Sequence, residues 1–293
     1  MTEAMSRIKN FAREWVVPPG LWTMLVKASL HFNQGNTDTL SAENLLLLEQ
    51  NRKLFNRHKG ERCFILGAGS SIAKQDLKKL AGEYVISVSN TFVHEDYSVI
   101  KPRYHVLPHI LSGHGDLYSR QKFVAWLQEM EQKTLDVEMF FHIGDKELID
   151  DNALFKDRHI HWNEYVDWNE RDAFPIDLSR VPAIKSVSEL AITVALYLGF
   201  EKIYLLGFDH DWFNGPLVYF YNHATQHALA PNAENLAYAD SEFQMLRHAY
   251  IFKKYKYFSQ IRQNIFNANA DPHSYVDVFP KVDYDSLFAK EIA

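Results

Sequence analysis

The chain of 293 residues has a single cysteine, Cys63. One thiol excludes an intrachain disulfide and any metal site built on several cysteines. It also suits a reducing compartment, and Cys63 itself reads as a small buried strand residue. Positive charge is scarce too. The 31 Lys and Arg face 37 Asp and Glu, a formal charge of -6, which argues against the basic face of a nucleic-acid binder. No stretch approaches the ~20 apolar residues of a membrane span. The first residues lack the continuous apolar core of a secretion signal. Repeats and low-complexity tracts are missing as well. What the chain does have is a hydrophobic fraction of 47%, with 20 Phe and 15 Tyr. That is enough for one large α/β domain or two small ones.

One early stretch stands apart. Phe11 to Phe32, FAREWVVPPGLWTMLVKASLHF, is rich in Trp and aliphatics, carries Arg13 and Lys27, and is broken by Pro18-Pro19-Gly20. It reads either as an interfacial helix on a membrane surface or as a helical arm packed on the domain. Residues 1–58 are therefore expected to form an N-terminal helical arm. The helix at residues 41–58 closes it, capped by Ser41, with Lys59-Gly60 at its end.

From residue 59 to 293, strands and helices alternate. RCFILGA, Glu83–Ser89, Arg103–Pro108, Val137–His142, the short His159–Trp162 and Lys202–Gly207 read as strands. Helices are expected at Ile72–Ala81, Tyr118–Lys133, Ser186–Leu198 and Asp240–Gln260, and a late strand or extended tail near Val276. In Ser186–Leu198 the residues Val187, Leu190, Ala191, Val194 and Leu198 share one face. This alternation predicts an α/β Rossmann-like fold, a mostly parallel sheet with helices on both faces. Ligands of such sheets sit beyond the carboxyl ends of the strands, so the residues there carry the functional question.

The first such segment is the glycine turn, Gly67-Ala68-Gly69-Ser70-Ser71. It lacks the third glycine of GxGxxG. The second strand ends in Ser89-Asn90 rather than in an acidic residue, and no GK[ST] follows. Nicotinamide and Walker-type readings are therefore poor. Gly67 and Gly69 still permit tight backbone, and amides opening the next helix can face an anion. A plain strand-to-helix turn explains the same residues. A second anion site is expected where Lys185, Ser186 and Ser188 open the strong helix. Its plain alternative is an N-cap at Ser186, with Glu189 completing a capping box.

A third segment, Asp209-His210-Asp211, follows the strand at Lys202. It reads as a metal-diphosphate holder, as a holder of acceptor hydroxyls with a carboxylate or His210 as base, or as a polar structural loop. His94, His105, His109 and His114 lie near strand ends. His223 and His227 lie in a tyrosine-rich segment whose length, residues 212–235, suits a lid. Among the histidines, His210 and His223 are the favoured bases. Carboxylates on both sides of His210 are expected to raise its pKa.

Together, FILGAGSS, VISVSNTFVHEDY and IKSVSELAITVALYLGFEKIYLLGFDHDW resemble, in order and spacing, the bacterial lipooligosaccharide sialyltransferases. They equally resemble the MptE-like Rossmann proteins of polysaccharide gene clusters, labelled after an archaeal 6-hydroxymethylpterin diphosphokinase. The resemblance covers roughly residues 60 to 215, and the tail NIFNANADPHSYVDVFPKVDYDSLF adds to the second likeness. It implies a glycosyltransferase of surface-polysaccharide synthesis taking a nucleotide-activated sugar, with CMP favoured as the nucleotide. The glycine turn and Asn90 would approach the nucleotide, and Ser186-Val187-Ser188 the phosphate. The acceptor would be a saccharide or a lipid-linked saccharide. The location would be cytoplasmic, with peripheral contact at the inner membrane. No divalent metal is required in this reading. There are departures: Ala68 replaces the asparagine of a Gly-Asn-Gly-Pro-Ser turn, and NLAYADSEF has no histidine before the long C-terminal helix. RYHVLPH also lacks the acidic pair with which the pterin enzymes hold magnesium. A pyrophosphokinase and a non-catalytic accessory protein are the two alternatives.

Overall fold

A computed structural model describes residues 40–111, 120–168, 172–211, 219–221, 241–262, 264–270, 274 and 276–289, with the side chains of 241–244 excepted. The chain divides into two compact units, Met1–Asp38 and Thr39–Ala293. The stretch Phe11 to Phe32 lies outside the described residues. The helix expected within the N-terminal arm belongs instead to the larger unit. It is also shorter than expected, an α-helix α1 (Ala42–Glu49) followed by a 3₁₀ turn at Gln50–Leu54. Ser41 caps it by accepting from the Asn44 amide. The α-helix gives way where the buried Asn51 donates to the Trp162 carbonyl at 2.6 Å, tying this segment to the sheet edge.

The described strands are β1 (Arg62–Leu66), β2 (Tyr84–Val88), β3 (Tyr104–Val106), β4 (Glu138–His142), β5 (Ile160–Asn163), β6 (Tyr165–Val166), β7 (Val181–Pro182), β8 (Lys202–Leu206) and β9 (Ile265–Asn267). Seven of them form one sheet in the order β5-β4-β3-β2-β1-β8-β9, and every described pairing is parallel. β6 and β7 make a separate two-stranded parallel pair. The expected α/β, mostly parallel sheet is present. Its strands are near-continuous apolar runs because both faces are covered. Along β1, Cys63 and Ile65 enter one core cluster while Phe64 and Leu66 enter another, the two-residue period of a strand.

The remaining described helices are α2 (Tyr97–Ile100), α3 (Arg120–Lys133), α4 (Lys146–Asp151), α5 (Val187–Tyr197) and α6 (Ser241–Ile261). α5 is buried nearly all round, which fits its high apolar content. It shares a core with β1, β2, β8 and the Ile251, Tyr255 and Phe258 face of α6. Gly199 ends it at φ 82°, the left-handed closure that glycine supplies most cheaply.

One expectation fails locally. The α-helix expected at Ile72–Ala81 is a pair of 3₁₀ turns, Ser70–Lys74 and Leu77–Leu80. Gln75 between them is extended and donates to the Ala268 carbonyl at 2.8 Å. Asp76 accepts from the Lys78 amide, the side-chain competition that stops a helix. The last described strand is β9, which was not among those expected, and Val276 is buried outside any described strand, in keeping with the tail reading.

The chain order places the reversal of the sheet between β1 and β8. From β1 it runs outward through β2, β3 and β4 to β5, then returns through α5 to β8. The carboxyl ends of β1 and β8 therefore flank the topological switch point.

Candidate functional site

At the switch point, the ends of β1 and β8 touch backbone to backbone. A Cβ on Gly67 would lie 2.5 Å from the Gly207 carbonyl oxygen, so glycine is required by close approach. The Gly69 amide donates to the Gly207 carbonyl at 2.9 Å. The turn then closes on an anion of the chain itself. The Asp209 carboxylate accepts from the Ser71 amide at 3.0 Å and, through its other oxygen, from the Ser71 hydroxyl. A Cβ on Gly69 would sit 2.4 Å from that carboxylate. Asp209 is buried. The Ser71 amide, one of those expected to meet a phosphate, thus meets an internal carboxylate. Ser70 stands beside it, half-buried at the start of the 3₁₀ turn.

Asn90 follows β2 and is also buried. Its side chain donates to the Tyr221 hydroxyl at 2.9 Å and accepts from the Trp126 indole at 2.8 Å. Ser89 before it has φ 47°, and His210 after β8 has φ 51°. Such left-handed backbone costs a non-glycine residue roughly 1–2 kcal/mol, so packing holds both turns in place.

The N-terminus of α5 is the richest part of the edge. Ser186 caps it in a complete capping box with Glu189. Glu189 accepts from the Lys185 and Ser186 amides, each at 2.7 Å, and pairs with Lys254 Nζ at 2.8 Å. Lys254 also donates to the Ala183 carbonyl. Arg247 donates to the Lys185 carbonyl at 2.8 Å. Lys185 has its pKa lowered, first by burial and then by Lys254, with Arg247 adding to the effect against Glu189. Three cations from two elements thus converge on one helix start.

His210 enters the same network from the other side. Its Nε2 lies 2.8 Å from the Tyr255 hydroxyl, and Ser188 is hydrogen-bonded to that phenol. Ser188 Oγ in turn donates to Ser186 Oγ at 2.9 Å. The expected rise in the His210 pKa is reversed. Burial, then His248 and Arg247, lower it to about 3, while the Asp209 carboxylate is engaged by Ser71 in the glycine turn. The buried His210 ring is thus held against the Tyr255 hydroxyl, with its neutral form favoured. Asp211 is half-buried at the end of this described segment. His223 and the expected lid, apart from residues 219–221, lie outside the described residues. So does His114.

The structure thus brings Lys185, Ser186, Ser188 and His210 together, and separately joins Gly67, Gly69, Ser71 and Asp209. Sequence reading missed Arg247, Lys254 and Tyr255. They lie on the hydrophilic, aromatic-rich α6, where no local motif marks them. At the ends of β3 and β4 it marked His109 but not the His142 and Asp145 beside it. There the His109 and His142 rings stack at 4.0 Å, and His109 Nε2 lies 3.5 Å from the fully buried Asp145. Among the described residues no group of three His, Cys, Asp or Glu is placed to hold a metal ion.

No protein-family model matches the chain, and no curated protein matches it. Solved structures do. The sialyltransferase CstII from Campylobacter jejuni, in complex with the substrate analogue cytidine-5'-monophosphate, matches with a TM-score of 0.43 and 17% identity. That match covers 76% of this chain and 85% of the other. A structure of the sialyltransferase CST-II with a trisaccharide acceptor and CMP matches with a TM-score of 0.42 and 17% identity, over 76% and 86%. Both identities lie far below the level at which a shared reaction follows.

Proposed function

We propose that the chain is a glycosyltransferase that transfers a sugar from a nucleotide, a CMP-linked acidic sugar, to a saccharide or lipid-linked acceptor in surface-polysaccharide assembly. The observation that carries this is the start of α5. There Lys185, Arg247 and the Glu189-paired Lys254 gather around the Ser186 and Ser188 cap at the positive end of a buried helix, beyond the carboxyl ends of the strands. Such an end stabilises an anion. A departing nucleotide phosphate would be the anion. The choice of CMP follows from the ordered sequence motifs. The glycine turn and Asn90, whose polar groups are spent inside the protein, would then shape the nucleotide pocket, and the tyrosines at 219–221 would border it. Melting scans with CMP, UDP, GDP and ATP test this. CMP at 100 times its dissociation constant should add about 2.7 kcal/mol. Stabilisation by ATP alone would replace the reading with a pyrophosphokinase.

One observation favours a second reading, a nucleotide-binding accessory protein without turnover. Asp209 occupies the Ser71 amide that would otherwise meet a phosphate. CMP binding without release of CMP from CMP-sialic acid would select it. Peripheral membrane contact through residues 1–35 belongs to the same proposal. Loss of binding to anionic vesicles when they are deleted, with the larger unit still folded, is the expected outcome.

A further inference from the structure

The His109 group lies on the same carboxyl edge as the start of α5. Tyr165 connects the two. Its hydroxyl accepts from the His109 amide at 3.3 Å, and its ring lies 4.4 Å from that of His142. Its phenol is raised by burial and, among other causes, by the Asp145, Glu189 and Glu164 carboxylates. Glu189 is the capping-box partner of Ser186 at the start of α5, so the phenol feels both sites.

Within the group, each side chain has a defined job. Asp145 is held by the Ile110 and Leu111 amides at 2.9 and 3.1 Å, and it faces His109 Nε2. His142 Nδ1 accepts from the Gly144 amide at 3.0 Å. Its Nε2 points toward Glu164 at 3.8 Å. The His142 ring is thereby fixed flat against His109. A Cβ on Gly144 would come within 2.9 Å of the His109 ring, so the glycine makes room for it. A carboxylate locked by two amides and aimed at one nitrogen of a partly exposed imidazole is the arrangement that orients a general base.

We infer that His109, oriented by Asp145, is the base that takes the proton from the acceptor hydroxyl. This rests on the transferase reading. The acceptor oxygen forms its bond to the anomeric carbon as the bond from that carbon to the nucleotide phosphate oxygen breaks. The leaving phosphate keeps that electron pair beside Lys185 and Arg247. The proton of the acceptor hydroxyl passes to His109 Nδ1, while the Nε2 proton stays on the ring, facing the Asp145 carboxylate.

The groups facing His109 set its pH response: His142 at the end of β4, Asp145 in the turn after it, Glu164 and Tyr165 beyond β5. Burial lowers His109 to about 4 and raises Asp145 to about 7. The Asp145 carboxylate that orients the ring is therefore ionised only above about pH 7.

The test uses the full chain, with CMP-sialic acid as donor and CMP release followed from pH 5 to 9. In parallel, CMP affinity is measured by calorimetry. His109→Gln should lower release about 10²–10⁴-fold, leave CMP affinity within about twofold, and abolish the acidic limb. Asp145→Asn should shift that limb while the protein remains folded. Nitrogen NMR of the wild type should show the Nε2–H tautomer of His109 above pH 8, a readout independent of any variant. Near-normal release and an unchanged limb in a folded His109→Gln protein that binds CMP would overturn the base and spare the transferase. A Nδ1–H tautomer would also overturn it. A wild type that binds no CMP would overturn both.

Discussion

Glu138 shows how a single residue couples stability to pH. It is buried at the start of β4, paired with Arg57 at 2.9 Å, Arg103 at 2.6 Å and His161 at 2.7 Å. Burial alone would raise its pKa, but the His161 and Arg57 hydrogen bonds outweigh it and hold the carboxyl at about 2, below its ordinary 4.5. A depressed carboxylate stabilises the fold above its unfolded pKa. That contribution fades as pH falls from about 4.5 toward 2. Glu138→Gln should cost about 1–3 kcal/mol at pH 7, as expected for lost bonds to charged groups, and flatten the acid limb of a melting-temperature profile. An unchanged limb would show that other carboxylates carry it. Gly69 makes a steric prediction. Gly69→Ala places a Cβ against the Asp209 carboxylate, so the Ser71–Asp209 link should break. A loss of about 1.5–3 kcal/mol follows, and Asp209→Asn should lose less than additively in combination with it. Full additivity would mean that the two act separately.

At the scale of elements, α5 carries the argument. Ser186→Ala removes the cap and should cost about 0.5–2 kcal/mol. If the helix start also holds a phosphate, CMP affinity falls in the same folded variant, and calorimetry separates the two effects. This element was legible in the sequence because the capping residues, the apolar face and the closing Gly199 are all local signals. The strands were legible for a similar reason, as buried parallel strands are unbroken apolar runs. Ile72–Ala81 was not. Ile72, Leu77 and Leu80 do enter the core, but Asp76 and the tether from Gln75 to Ala268 split the helix, and that tether joins residues far apart in sequence. His210 was located, but its pKa was expected to shift in the wrong direction. Nothing local says that Asp209 turns toward Ser71.

Across the whole molecule, the sheet order makes the switch point, and with it the region where a ligand belongs. The order was not readable from the chain, although the alternation that demands a parallel sheet was. The half of the proposed anion site contributed by Arg247, Lys254 and Tyr255 depends on α6 packing against α5, a contact set by tertiary structure. The central claim is that this junction holds a nucleotide phosphate. The most direct measurement is a paired calorimetric titration with CMP and with cytidine, on the wild type and on Lys185→Ala and Arg247→Ala. The account predicts that CMP binds the wild type at least tenfold more tightly than cytidine, and that each variant, still folded, loses most of that difference. Equal affinities for CMP and cytidine, or a difference that survives both substitutions, would contradict it.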